Sequence, residues 1–452
     1  MTRFRLAVSV CALACLAGSP ALAQRAAPVA AARSEAPLAP LTADQRAAAV
    51  ARIKQIVQER YVFPDRVPAI LARLDQGLAS GRYDETVPRT FADRLTEDLR
   101  DSSGDRHMYV NVDPAQYAAA ISGPAEPEAR NPALEALWER GAVRGNHGLS
   151  DMRLLPGNVR YLRITQFHWV DDRTGEAYDE AARFLREGDA VIIDIRNNGG
   201  GSHGAVRYFI SHFMDGNQLE MTFLRSGEAP SQSRTLEYLP SGRIKGKPVY
   251  VLINANVGSA AEAFAYDMQQ FHLGTLVGSK TAGAANNNGF EPVAPAFMLS
   301  VSFGRPVHPV SGTNWEAVGI SPDVAAPDGQ ELDAAQALAL AALEARPDAN
   351  PADRADWEWA RIGIEARMHP VTIPVARLRA LAGDYQSRRI LFADGVLLYR
   401  RTNGQTARLT PLTADGLFAV EGFDDRFRVR LTGDALESQW ISDAAPIRFP
   451  RS

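Results

Sequence analysis

"VYVLINANVGSAAEAFAYDMQQ", Val249 to Gln270, sets a strand, a turn and a helix one after another. Val249–Ile253 is unbroken apolar sequence rich in β-branched residues, the signature of a strand covered on both faces. Asn254–Gly258 carries turn-forming residues, and the alanine-rich run from Ser259 to Phe271 predicts a helix. The same order recurs upstream. Ala190–Ile195 is a second buried strand, followed by Arg196-Asn-Asn-Gly-Gly-Gly201 and a predicted helix over Ala205–Phe213. Before it come a strand at Val159–Ile164 and a helix at Thr174–Leu185. Strands alternating with helices argue a layered α/β sheet. In such sheets chemistry gathers at the carboxyl ends of the strands, which is where Ser259 and the glycines stand.

Working outward, residues 42–112 read as a helical region. Asp44 is the expected N-cap of a helix through Ile53 and Ile56 to Tyr61, and Val62–Asp65 is a turn. A second helix runs through Ile70, Leu74 and Leu78, and a third covers Thr90–Leu99. Ser102–His107 is a loop that leads to a short strand at Met108–Val112. Pro114–Asp151 carries few signals. Residues 113–330 are expected to form the main α/β domain, and 331–379 a helical linker with helices at Glu331–Glu344 and Ala352–Arg367. Residues 380–452 break into short alternating runs such as Val396–Tyr399 and Phe427–Leu431, which predict a small antiparallel β domain.

The first residues read as an export signal. Arg3 and Arg5 precede an apolar run from Leu6 to Leu16, and Ala21-Leu-Ala23 places small residues before an expected cleavage after Ala23. Residues 24–41 are an Ala/Pro-rich tether. This predicts a periplasmic or secreted protein, with lipidation at Cys15 as the alternative. Both cysteines, Cys11 and Cys15, lie within the signal, so no disulfide, thiolate metal site or cysteine nucleophile is expected after cleavage. Among 452 residues, 46% are hydrophobic and the net charge is −4, so no basic excess points to nucleic acid. No other stretch approaches the roughly 18 apolar residues of a membrane span.

Ser259, at a helix start, has two readings. Serine is among the best N-caps. At the same place its hydroxyl would lie close to unpaired N–H groups and the positive helix end, where a nucleophile and its oxyanion are favoured. Asn256-Val-Gly-Ser-Ala260 is not the G-x-S-x-G elbow. "DIRNNGGGSHG", Asp194 to Gly204, lacks both the phosphate-loop and the dinucleotide patterns. Its consecutive glycines permit positive φ and close backbone approach, as a strand-to-helix turn or an oxyanion loop requires.

The stretches "VIIDIRNNGGG", "NANVGSAAEAFAYDMQQFHLGTLVGSKTAG" and "SGTNWEAVGISPDV" resemble the tail-specific, or C-terminal processing, serine peptidases of family S41. They are most similar to the branch of the interphotoreceptor retinoid-binding protein and the tricorn core. "YVFPD" at Tyr61 and "LRDSSGDRHMYV" at Leu99 are similar to the helical N-terminal region of that branch. The resemblance implies a ClpP/crotonase-like layered α/β core with a helical N-terminal subdomain, followed here by the small antiparallel β domain. It also implies Ser259 as nucleophile with Glu262 following it, and an oxyanion hole of Gly199, Gly200 and the Ala260 N–H. Where Ser–Lys members place their lysine, this chain has Ala284, and Lys280 is out of alignment. The tricorn-like pattern matches His107 as base and Glu316 as its acid, with Arg106 where that pattern has serine. His203 is the substitute base, and Asp194 and Arg196 are expected to anchor the glycine loop.

These readings predict a serine peptidase without cofactor or metal, acting on short or unfolded peptides. The stretch between Val112 and Val159 is too short for a PDZ domain of roughly 80–100 residues. The alternative is a non-catalytic binder of an apolar, retinoid- or lipid-like ligand on the same scaffold, because a fold does not by itself fix a function.

Overall fold

The computed structural model describes residues 38–122, 132–225, 228–401, 404–423 and 425–452. The expected export signal and most of the tether lie outside the described residues. No described helix is long and apolar enough to cross a membrane.

A six-stranded sheet positions the site. Its order is Val324–Ala325, Thr275–Gly278, Val249–Ile253, Ala190–Asp194, Val159–Ile164, Leu149–Leu155. All neighbours run parallel except the last pair. Val249–Ile253 and Ala190–Asp194 are central and wholly buried, as their unbroken apolar sequence requires. Helices Asp172–Arg186, His203–Ile210 and Ala260–Gln270 cover one face, packing Tyr178, Phe209 and Phe264 against Ile193 and Val251. Helices Glu331–Glu344 and Pro351–Met368 cover the other, where Leu340, Leu343 and Trp357 meet Tyr161 and Ile192.

The N-terminal helices are Ala43–Arg60, Val67–Ala79 and Pro88–Ser103. The first is capped by Thr42, not by Asp44: Thr42 Oγ1 accepts the Gln45 N–H while Gln45 returns a bond to Thr42. Asp44 instead lies in the first turn, where its charge suits the helix dipole. The third helix ends at Gly104 in the left-handed conformation, and the chain passes through 105–108 into the strand Tyr109–Val112.

That strand joins a second, antiparallel sheet. It pairs with Phe297–Val307, which also pairs with Asn287–Val293 and Leu219–Arg225. Phe91, Leu95 and Leu99 of the third helix pack on Phe297, Leu299 and Val301 of this sheet. The helical region therefore shares its core with residues about two hundred positions downstream, and this sets His107 beside Ser300.

Pro114–Ile121 and Pro132–Arg144 are helices within the stretch that gave few signals. The first buries no residue, so it needs no apolar stripe and leaves none in the sequence. The C-terminal region is an eight-stranded antiparallel meander from Gly383 to Pro450, built around Tyr385, Phe418, Val429 and Leu436.

Candidate active site

Ser259 stands between the carboxyl end of the central strand and the helix Ala260–Gln270. Its backbone has φ 53° and ψ −125°, a conformation that residues with a Cβ rarely adopt. Such strain costs on the order of 1–3 kcal/mol and persists only where the surroundings hold it. Here Glu262 Oε2 accepts the Ser259 N–H at 3.1 Å, and the Gly258 N–H donates to Asn198 O at 3.0 Å.

Glu262 is fully buried and does more than close the helix. Its carboxylate also accepts Thr281 Oγ1–H at 2.5 Å, the Gly283 N–H at 2.7 Å and the Ala284 N–H at 2.8 Å. Burial pushes its pKa up against the pull of these donors. The 281–284 loop, which would carry the lysine of a Ser–Lys dyad, is thus fastened to the helix that follows Ser259. Lys280 is exposed and does not line the cavity at Ser259.

The glycine loop is anchored as expected. Asp194 is fully buried and accepts Tyr161 Oη–H at 2.7 Å and Arg196 Nη2–H at 2.6 Å, and Arg196 also pairs with Glu331 at 2.6 Å. Burial works to raise the Asp194 pKa, but these partners hold it below the ordinary carboxylate value. Asn197 bonds to both Asn254 and Asn256, lacing this loop to the one that carries Ser259. Gly200 lies directly behind Ser259: a Cβ there would stand 2.7 Å from Ser259 Cβ.

The expected oxyanion donors need one correction. The Gly200 N–H donates to Asn198 Oδ1 at 2.9 Å, so the turn that brings Gly200 against Ser259 also uses its donor. Among the described residues, the N–H groups of Gly199, Gly201 and Ala260 make no hydrogen bond within the protein. Gly201 and Ala260 line the cavity at Ser259, whereas Gly199 does not.

That cavity, of about 130 Å³, has an apolar side that includes Met221, Phe223, Ala263 and Trp315 and a polar side at Asn286–Asn288. His203 also lines it, with Nε2 3.2 Å from buried Glu220 and 3.1 Å from Ser233 Oγ. That nitrogen is thereby occupied within the wall.

His107 is 6% exposed, and its Nδ1 has no partner. Its N–H donates to Asp105 Oδ1 at 2.9 Å, and its carbonyl accepts Ser300 Oγ–H. Asp105, His107 and Glu316 each offer a ligand atom within 4.8 Å of the others, an arrangement that could also hold a cation. Glu316 Oε2 accepts the N–H groups of Ala285 at 2.6 Å and Asn286 at 2.9 Å, and Oε1 has no partner. Burial, reinforced by the charge of Asp105, pushes the Glu316 carboxyl up to about 7. Burial likewise pushes the His107 imidazole down; Arg100 adds to this and Asp105 opposes it.

The structure thus brings His107 and Glu316 together, and sets Ser259, Ala260 and the glycine loop together. Ala285 and Asn286 join the two groups, because both line the cavity at Ser259 and both bind Glu316. Among the described residues no hydrogen bond links Ser259 to His107. Sequence reasoning missed Asp105 and Asn286. Asp105 had one available signal, its place two residues before His107; Asn286 had none, since its partner Asp105 is 181 positions away.

The family model described as "Peptidase family S41" matches residues 158–326, and that of the "N-terminal domain of Peptidase_S41 in eukaryotic IRBP" matches residues 41–138. The chain is 31% identical over 143 residues to the tricorn protease of Thermoplasma volcanium, covering 30% of this chain and 12% of that protein. It is 32% identical over 141 residues to the carboxyl-terminal-processing protease of Synechocystis, covering 30% of each. The chain therefore spans less than a third of the length of either relative. Among solved structures, a lipoprotein from Streptococcus agalactiae aligns with a TM-score of 0.46 and 15% identity, over 67% of this chain and 98% of that one.

Proposed function

We propose that this chain, which belongs to peptidase family S41, is a serine peptidase that cleaves peptide bonds through an acyl-enzyme at Ser259. The observation that carries the reading is the strained Ser259 held against a glycine loop, in a cavity whose wall also binds the Glu316 carboxylate. In this reading Ser259 Oγ adds to the scissile carbonyl carbon while His107 takes its proton. The oxyanion accepts the N–H of Ala260 and that of Gly201, in place of Gly200. Collapse returns the proton to the leaving amine, and water repeats the sequence to free Ser259. A neutral imidazole is what a base at neutral pH requires, and burial of His107 favours that form. The Ser259–His107 hydrogen bond forms when substrate enters, since catalytic hydrogen bonds commonly tighten only in the complex.

Short or unfolded peptides suit a small cavity, and the stretch between Val112 and Val159 is too short for a PDZ domain. The sequence up to Ala23 supports export, which an intact mass beginning at Gln24 would check. A fluorophosphonate should label wild-type enzyme at Ser259. Ser259→Ala should abolish both labelling and cleavage of a mixed peptide library, and hydrolysis that persists in that variant refutes the reading.

A further inference from the structure

We propose that Asp105 and Asn286 form a hydrogen-bonded clip that positions His107 and Glu316 for the reaction. The inference rests on the peptidase reading above and names residues which that reading does not use.

Asp105 is 1% exposed, and both of its carboxylate oxygens are engaged. Oδ1 takes the His107 N–H at 2.9 Å, and Oδ2 takes Asn286 Nδ2–H at 3.0 Å. Its own N–H donates to Ser103 Oγ at 3.1 Å, which ties the turn to the end of the third helix. Asn286, also 1% exposed, holds both carboxylates of the site: its side chain binds Asp105 while its N–H binds Glu316 at 2.9 Å. One residue thereby fixes the separation of the acid that sets the His107 backbone from the acid beside its ring. Ser300 completes the support. Its hydroxyl donates to the His107 carbonyl and accepts Asn288 Nδ2–H at 2.7 Å, so the His107 peptide is held at both its N–H and its C=O. Asn286 and Asn288 line the cavity at Ser259, so the clip also connects base and nucleophile.

Neither residue touches a reacting atom in this arrangement. Both act through His107 and Glu316, and that separates them from a merely structural role. Removing the clip leaves the imidazole present but misplaced, and a misplacement of about 1 Å can cost on the order of 100-fold in rate. Asp105→Asn should largely restore the geometry. Its Oδ1 still accepts the His107 N–H, and Asn286 can turn its amide over, because its Oδ1 has no present partner to lose.

The test measures kcat and KM on a peptide substrate, together with fluorophosphonate labelling of Ser259. Asp105→Ala and Asn286→Ala should each lower kcat and the labelling rate about 100-fold with KM nearly unchanged, and Asp105→Asn should recover most of the loss. In a His107→Ala background Asp105→Ala should add nothing, because the group it positions is gone. Hydrolysis surviving in Ser259→Ala overturns the peptidase reading and this inference with it. If Ser259→Ala is inactive but Asp105→Ala keeps the wild-type kcat, or costs as much in the His107→Ala background as alone, the inference alone is overturned.

Discussion

Gly200→Ala tests the central contact of the site with the least chemical change. At φ +108° an alanine is strained, by about 1–3 kcal/mol. Its Cβ would lie 2.7 Å from Ser259 Cβ, 2.8 Å from Ala260 N and 2.9 Å from Gly258 O. Ordinary contact begins near 3.4 Å, so Ser259 and its neighbouring N–H must retreat by about 0.5–0.7 Å. If 1 Å of misplacement costs on the order of 100-fold, this retreat should cost roughly 10- to 30-fold. Gly199→Ala is the matched control: no atom lies within 4 Å of its added Cβ, and it leaves the N–H in place. The assay is the second-order rate of fluorophosphonate labelling at Ser259, beside peptide hydrolysis and a thermal melt. Gly200→Ala should react tens-fold more slowly, with a modestly lower Tm, while Gly199→Ala stays near wild type. The packing argument is refuted if Gly200→Ala labels at the wild-type rate, or if the two variants lose reactivity equally.

Glu262→Ala should destabilise the fold by about 4 kcal/mol in a denaturant titration, since it strands four donors at roughly 1 kcal/mol each. Glu262→Gln should recover only part of this, because whichever way the amide turns, its NH₂ meets an N–H donor. Glu316 has its carboxyl raised from 4.5 to about 7, so its folded state favours the proton. The corresponding stability is full below the unfolded pKa and is lost as pH rises through about 7. Wild-type Tm should therefore fall relative to Glu316→Gln between pH 5 and 8, and parallel profiles would count against this assignment. Asp98 is fully buried, bonded to Tyr83 Oη–H at 2.6 Å and paired with Arg73 at 2.7 Å and Arg82 at 3.0 Å. Burial opposes its ionisation, yet these partners lower its pKa, so their contribution is present above the unfolded value and lost as pH falls through the folded one. Asp98→Ala should cost about 3–5 kcal/mol at neutral pH, and Asp98→Asn should flatten the acid side of the Tm profile.

Much of the fold was legible because it is written in local patterns. Val249–Ile253 and Ala190–Asp194 are buried on both faces, and that demand leaves a run of apolar residues that reads the same with or without the structure. The second sheet was legible only at its strand Tyr109–Val112. Asn287–Val293 is largely half-exposed and polar, and it is a strand only because Phe297–Val307 lies beside it. Pro114–Ile121 was passed over because a helix that buries nothing needs no apolar periodicity.

The site divides in the same way. A serine at a strand-to-helix junction and a triple glycine after a buried strand are features of a few adjacent residues, so the sequence alone could single out Ser259, Gly199–Gly201 and Ala260. It could also nominate His107 and Glu316 through their resemblance to a family pattern. Which glycine N–H stays free was decided by the turn at Asn198, a matter of backbone direction that three identical residues cannot encode. What surrounds His107 was decided by pairing Tyr109–Val112 with Phe297–Val307, which sets Asp105 on Asn286 and Ser300 on His107. Hydrogen bonds between residues so distant in the chain leave no spacing to read, because their geometry exists only once the sheets have formed.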